Sequence, residues 1–225
     1  MVLEQEALSA QIYRIIKDRI MGDILKPGDR LSVEELATEF GVSRSPVKTA
    51  VDLLREQGLV AVARNRGTFV NTLSEQDVLE SLGVREMMER YAAEIMPLPI
   101  NERMGQQLRQ ILTEEGQLLE SANEEASFLR RNELNAQFHE LLMEAAGNGH
   151  LTKLYRKLNV RLVILRSYRV RPLRKLCAVH QEHLGILDAA QRTDHAVLQE
   201  AITSHTSQAR EAFVHSVRHS ADPVP

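Results

Sequence analysis

One cysteine, no tryptophan and no long apolar run set limits on this chain before any motif is read. The single Cys177 excludes an intrachain disulfide framework and fits a reducing compartment. No stretch approaches the roughly 18 apolar residues that a membrane span requires. The acidic opening MVLEQEALSAQ lacks a signal-peptide core. The expectation is a cytoplasmic protein with no membrane partner. Aromatic residues make up only 4% of the chain, so Leu, Val, Ile, Ala and Met must fill its cores, which suits packed helices. A glycine-rich phosphate loop, a Cys-x-x-Cys pair, a nucleophile elbow and low-complexity sequence are all missing. The net charge of −3 offers no bulk attraction to nucleic acid.

What is present is ordinary in composition, with 43% hydrophobic and 26% charged residues, and long enough at 225 residues for two domains. The information is local. A helix over Ser9 to Met21 is expected from Ile12, Ile15, Ile16 and Ile20 at helical spacing, followed by a Lys26-Pro27-Gly28-Asp29 turn. Ser32-x-x-Glu35 has the form of a capping box, Leu36, Ala37 and Phe40 face inward, and Gly41 ends that helix. Ser43 is placed to cap the next helix, with Pro46 in its first turn and Gly58 closing it.

In that helix Val47, Ala50, Val51 and Leu54 form one face, while Arg44, Lys48 and Arg55 fall within about 40° of one another on another. Leu59 to Val62 and Thr68 to Val70 are β-prone runs around a basic tip, Ala63-Arg64-Asn65-Arg66-Gly67. Between Ser43 and Arg66 five bases (Arg44, Lys48, Arg55, Arg64, Arg66) stand against Asp52 and Glu56, a net of +3. An amphipathic helix with a solvated basic face would explain the stripe alone. The capped helix pair, its Gly-Val-Ser turn and the following hairpin together predict a winged helix-turn-helix that reads double-stranded DNA. Arg44 is placed to reach guanine O6 and N7, Ser45 and Lys48 to reach phosphates or bases, and Arg64, Arg66 and Gly67 to follow the backbone or enter the minor groove.

Beyond Thr72 the pattern is helical: one helix opened by Ser74 and Asp77 to about Met96, then runs near 101–121, 124–146, 149–169, 173–191 and 194–219. An all-α six-helix bundle follows. All eight histidines lie beyond residue 130. Asn135 and His139 sit at i, i+4 beside Leu134, Phe138, Leu141, Leu142 and Ala145; His183 lies with Leu176, Leu184 and Leu187; His205 lies with Leu198, Ala201, Ile202 and Ala212. Two readings remain open at this point: core histidines that merely pack, or a converging metal site such as bundle cores build from facing helices. Tyr155, His150, His180, His195, His215 and His219 read as surface or packing residues, and Cys177 as a packing thiol.

The N-terminal run resembles the DNA-binding domain of the GntR family of bacterial regulators. The resemblance rests on Pro27-Gly28, Leu31-Ser32, Leu36-Ala37, Gly41-Val42-Ser43-Arg44, Pro46-Val47, Gly58-Leu59-Val60 and Arg66-Gly67-Thr68. Residues 74 to 219 resemble the FCD effector bundle of the FadR subfamily. The matching residues are Arg85-x-x-x-Glu89, Asn135-x-x-Phe138-His139 with Ala146-Gly147-Asn148, Glu182-His183 with Ile186-Leu187, and His205.

The resemblance implies a winged-helix domain over 1–72 and an FCD-like ligand- and metal-binding, dimerising domain over 73–222. It implies a homodimer on a palindromic operator, acting as a repressor with Ser32 among its DNA contacts, and a metal held by Asn135, His139, His183 and His205. It also implies a small carboxylate effector met by Arg85, with Arg166 and Tyr168 lining the same pocket. Three imidazoles suit Zn²⁺ or Ni²⁺. This sequence departs from the family pattern at three positions. Asn135 replaces an aspartate ligand, Glu34 stands where relatives carry a DNA-contacting arginine, and Lys48 replaces another arginine. Two other classes stay open: a metal-dependent hydrolase using Glu140 or Glu182 as base, although both acids point elsewhere on their helices than the ligands they adjoin, and a regulator with a metal-free bundle.

Overall fold

The computed structural model describes residues 8–22, 24–63, 66–72, 74–120, 124–158 and 173–220. The chain divides into two compact units, Met1–Leu73 and Ser74–Pro225. The first unit runs α1 (Leu8–Met21), β1 (Arg30–Leu31), α2 (Val33–Phe40), α3 (Arg44–Glu56), β2 (Val60–Ala63) and β3 (Gly67–Val70). The strands form one antiparallel sheet in the order β1-β3-β2, with Ala63 opposite Gly67 at the hairpin tip and Arg30 opposite Phe69. The three helices and a small wing are the winged helix-turn-helix that the turn signals and capping residues require.

Local chemistry explains the boundaries. Ser32 Oγ accepts from the Glu35 N–H at 3.2 Å, which satisfies one orphan donor of α2. Gly41 ends that helix at φ 65°, a left-handed conformation in which a side chain is strained. Gly58 closes α3 as expected: at φ 67° its N–H donates to Arg55 O at 2.9 Å, and the Leu59 N–H donates to Leu54 O at 2.9 Å. Two of the helix expectations need correction. Ser43 occupies the cap position of α3 but its side chain makes no capping bond. Ile15 is exposed, because only Ile12 and Ile16 of α1 point into the core. The two-residue strand β1 was not foreseen, since its pairing with β3 is a tertiary contact with no periodicity of its own.

The second unit is all helical where described: α4 (Glu75–Ile95), α5 (Glu102–Glu120), α6 (Glu124–Ala145), α7 (Gly149–Lys157), α8 (Leu173–Ala190) and α9 (His195–Ser220). Ser74 and Asp77 close a complete capping box on α4. The expected helix over 149–169 is seen to Lys157, and residues 159–172 lie outside the described residues. One core joins all six helices, including Met88, Leu108, Phe138, Leu142, Ile186 and Ile202. Gly116 costs α5 about 1 kcal/mol relative to alanine. Its position explains it, because a Cβ there would stand 3.3 Å from His180 Nε2 of α8. No helix among the described residues is long and apolar enough to cross a membrane.

Candidate functional site

Two groups of residues carry chemistry, one in each unit. On α3 the apolar face is buried through Val47, Ala50, Val51 and Leu54, which turns Arg44, Ser45 and Lys48 outward. Arg44 is 73% exposed in its side chain and lies 3.3 Å from Glu34, whose other oxygen accepts from Ser32 Oγ at 3.4 Å. The acid that departs from the family pattern therefore engages two of the expected DNA contacts. Arg55 is turned to Asp52 at 3.1 Å. Arg66 is exposed at the wing, and Gly67 lies beneath Arg30, whose Nε would be 3.4 Å from a Cβ at that position. Arg30 is thus a further basic residue beside the wing, brought there by β1. Arg64 lies outside the described residues.

In the bundle the three expected histidines converge. His139 of α6, His183 of α8 and His205 of α9 are buried, and one ring nitrogen from each lies within 4.8 Å of the others. The rings pack closely, with centroids 5.2 Å apart for His139 and His183 and 4.8 Å for His183 and His205. Phe138 stacks on His183 at 4.5 Å. Asn135, one turn before His139, is 2% exposed and shares its inward face.

Burial lowers the pKa of His139 to about 4, aided by the Arg85 charge and opposed by Glu89. Burial, with the His183 and His139 rings, holds His205 well below the usual histidine range. Both rings are therefore neutral near pH 7, the form that binds a cation. The buried His183 Nε2 has no hydrogen-bond partner. An orphaned imidazole nitrogen beside two others is what a transition-metal ion would satisfy, so the donor set fits the group that the fold implies.

Arg85 is also in this cluster. It pairs with Glu89 along the helix at 2.6 Å, and both side chains are buried. Its other guanidinium arm lies 2.6 Å from His139 Nε2. Tyr155 donates to Glu89 at 2.6 Å. Burial opposes ionisation of Glu89, but Arg85 and His139 outweigh it and hold the carboxyl well below its usual range. Arg166 and Tyr168 lie outside the described residues.

Several residues do more than their sequence pattern indicates. His180, taken as surface or packing, bonds Glu115 through Nδ1 at 2.8 Å, and Glu115 also faces His183 Nδ1 at 3.4 Å. Burial raises the Glu115 carboxyl less than these two rings lower it, and its pKa falls to about 2. Glu182, expected to point away from the site, reaches His205 Nδ1 at 2.8 Å on the neighbouring helix. Glu140 pairs with Arg156. Neither acid faces the Nε2 edges where a hydrolytic water would sit, which removes the basis for a hydrolase. Cys177 is exposed rather than packed, and Leu184 is 38% exposed, because α8 buries Val179, His183, Ile186 and Leu187 instead.

Known proteins resemble this chain in both units. Residues 8–70 match the bacterial regulatory proteins of the gntR family, and residues 80–208 match the FCD domain. The HTH-type transcriptional regulator YdhC of Bacillus subtilis is 27% identical over 205 residues, covering 91% of this chain and 90% of its own. The HTH-type transcriptional repressor RspR of Escherichia coli is 28% identical over 207 residues, covering 92% and 89%. Among solved structures, E. coli McbR/YncC has the same fold, with a TM-score of 0.75 at 19% identity over 96% of this chain and all 100% of that one. The two sequence relatives are transcription regulators, not enzymes. A winged helix matched over its whole length, followed by an FCD bundle matched over most of the remainder, places the chain in the GntR family of bacterial transcription regulators, among those that carry an FCD domain.

Proposed function

We propose that the protein is a carboxylate-responsive repressor that binds a palindromic operator in double-stranded DNA as a homodimer and works in the cytoplasm. Residues 1–72 read the DNA, and residues 73–222 bind metal and effector and form the dimer. One observation carries the reading: Arg85 and three imidazoles meet in a single buried cluster. His139, His183 and His205 would hold Zn²⁺ or Ni²⁺, with the Asn135 amide oxygen as a weaker fourth ligand. Such an ion supplies a Lewis-acidic anchor for one carboxylate oxygen. Arg85 matches a carboxylate through its planar fork, and Arg166 and Tyr168 complete the proposed effector set. The repressor direction is supported by the similarity to RspR.

Retardation assays on the DNA flanking the protein's own gene, at moderate salt, test the reading. Specific binding is expected to depend on both half-sites. A small carboxylate added with Zn²⁺ is expected to weaken it by roughly 5- to 150-fold, the usual size of such coupling. Binding that ignores the palindrome would sink the proposal. One contact favours a second reading: Arg85 already satisfies His139 Nε2 at 2.6 Å, as a metal-free bundle of packing histidines would require. Elemental analysis of untagged protein purified without chelator separates the two.

The dimer is proposed to form along α4. Val84, Met87 and Tyr91 lie at i, i+3 and i+7 on one stripe and are 38%, 62% and 47% exposed. Glu86, Arg90 and Glu94 alternate in sign beside them, which suits a two-fold pairing of the same helix. Met87→Arg is therefore expected to turn a dimer into a monomer in size-exclusion light scattering. An unchanged dimer mass would place the interface elsewhere.

A further inference from the structure

Each imidazole of the cluster turns one nitrogen toward its neighbours and the other toward a carboxylate on a different helix. His183 Nδ1 lies 3.4 Å from Glu115 of α5, His205 Nδ1 lies 2.8 Å from Glu182 of α8, and His139 Nδ1 lies 3.2 Å from Glu89 of α4. The opposite edges face one another: His205 Nε2 is 3.3 Å from His139 Nε2, and His183 Nε2 is buried without a hydrogen-bond partner. A carboxylate only accepts, so at His183 and His205 it keeps the hydrogen on Nδ1 and leaves the lone pair on Nε2, whereas His139 Nδ1 makes no hydrogen bond and its Nε2 faces Arg85 at 2.6 Å. The acids thereby decide which nitrogen is available to a cation.

The three acids are not equivalent. Glu89 is shared with Arg85, which already matches its charge. Glu115 bonds the rings of His180 and His183, one turn apart on α8. This bridge needs α5 and α8 to approach closely, and the absent side chain of Gly116 permits it. Phe138, stacked on His183, fixes the ring plane from the other side.

We propose that Glu115 and Glu182 are positioning residues of the cation site, supplying from behind the imidazoles the negative charge that Asn135 withholds from the ligand set. This rests on the reading of His139, His183 and His205 as ligands. An aspartate at 135 would place its charge on the ion directly, whereas an amide places none there. Carboxylates bonded to Nδ1 orient the rings and raise the basicity of Nε2. The site therefore suits a divalent transition ion that takes imidazole nitrogen, and discriminates against Mg²⁺ and Ca²⁺, which require oxygen ligands.

Chelator-competition titration of Zn²⁺ and Ni²⁺ into the stripped full-length protein tests the proposal. Wild type is expected to bind one equivalent. Glu115→Gln and Glu182→Gln should each weaken binding about 10- to 100-fold, the usual cost of losing such a partner. Asn135→Asp added to either variant should restore part of the loss, a rescue that a merely structural role would not give. Glu140→Gln, next to His139 in sequence but paired with Arg156, should change nothing. Wild-type affinity in both glutamine variants, or a loss that Asn135→Asp leaves unrelieved, overturns the positioning role while the metal site stands. Absence of binding by wild type overturns both. Should the glutamine variants not fold, Asn135→Asp alone decides: a gain under about tenfold supports charge supplied from behind the rings, and a larger gain refutes it.

Discussion

Alanine at His183 is expected to abolish metal-linked stabilisation of the bundle. With metal at 100 times its Kd, a bound ion stabilises the folded state by about 2.7 kcal/mol, a Tm rise of roughly 5–10 °C for a domain of this size. The His183→Ala variant should show no such rise. The reason is geometric: His183 is fully buried, and its Nε2 faces the other two rings without a hydrogen-bond partner. Truncation also strips Phe138 of its stacked ring and Glu115 of one of its two imidazoles. The metal-free variant should therefore lose about 1–3 kcal/mol of stability as well, the usual cost of disturbing a buried polar pair. His150→Ala, on an exposed position, serves as control. Calorimetric scans with and without Zn²⁺ provide the measurement, and an undiminished rise in His183→Ala would remove this residue from the ligand set.

The second large effect is expected at the DNA-reading face. Arg44→Ala should cost roughly 1–3 kcal/mol of operator affinity and relax preference at one base pair of each half-site. Arg44→Lys should recover little, because an ammonium cannot form the two-pronged contact with guanine. Lys48→Ala should instead weaken all sequences about equally and reduce the slope of log affinity against log salt by about 1. Glu34 sharpens the contrast. Its carboxylate lies 3.3 Å from Arg44, so docking on DNA exchanges one anionic partner of the arginine for another. Glu34→Gln is accordingly expected to raise affinity for DNA of any sequence. Fluorescence anisotropy on matched and scrambled duplexes reads all four variants, and equal losses for Arg44→Ala on both duplexes would assign that residue to the backbone.

How much of this was legible in the sequence depended on how far each residue's partner lay along the chain. Ser32, Gly41 and the Ser74–Asp77 box act within four residues, and their roles could be read directly. The three histidines announced themselves by lying on apolar stripes, and the family resemblance named them as a set. Their carboxylate partners did not. Glu115 meets His183 across 68 residues and His180 across 65, and Glu182 meets His205 across 23. Helical periodicity reports which face a residue occupies, not which helix that face meets. Glu182 was therefore read as pointing away when its own neighbour His183 points inward, although a second helix stands on that side. Cys177 and Leu184 failed for the opposite reason, since apolar character alone did not reveal which side of α8 was covered.

The histidine cluster has a further consequence for a chain with a single cysteine. His139 and His205 touch at 3.3 Å although 66 residues separate them, with His183 between them in sequence and beside both in space. An ion held by all three would tie three helices at one point and close a loop of that length. A covalent link closing a loop of this size removes about 4 kcal/mol of chain entropy from the unfolded ensemble in the simplest polymer treatment. An ion also makes that link reversible, at a rate set by metal exchange rather than by redox chemistry. Where disulfides cannot serve, the bundle would have a cross-link that can be undone without an oxidant or a reductant.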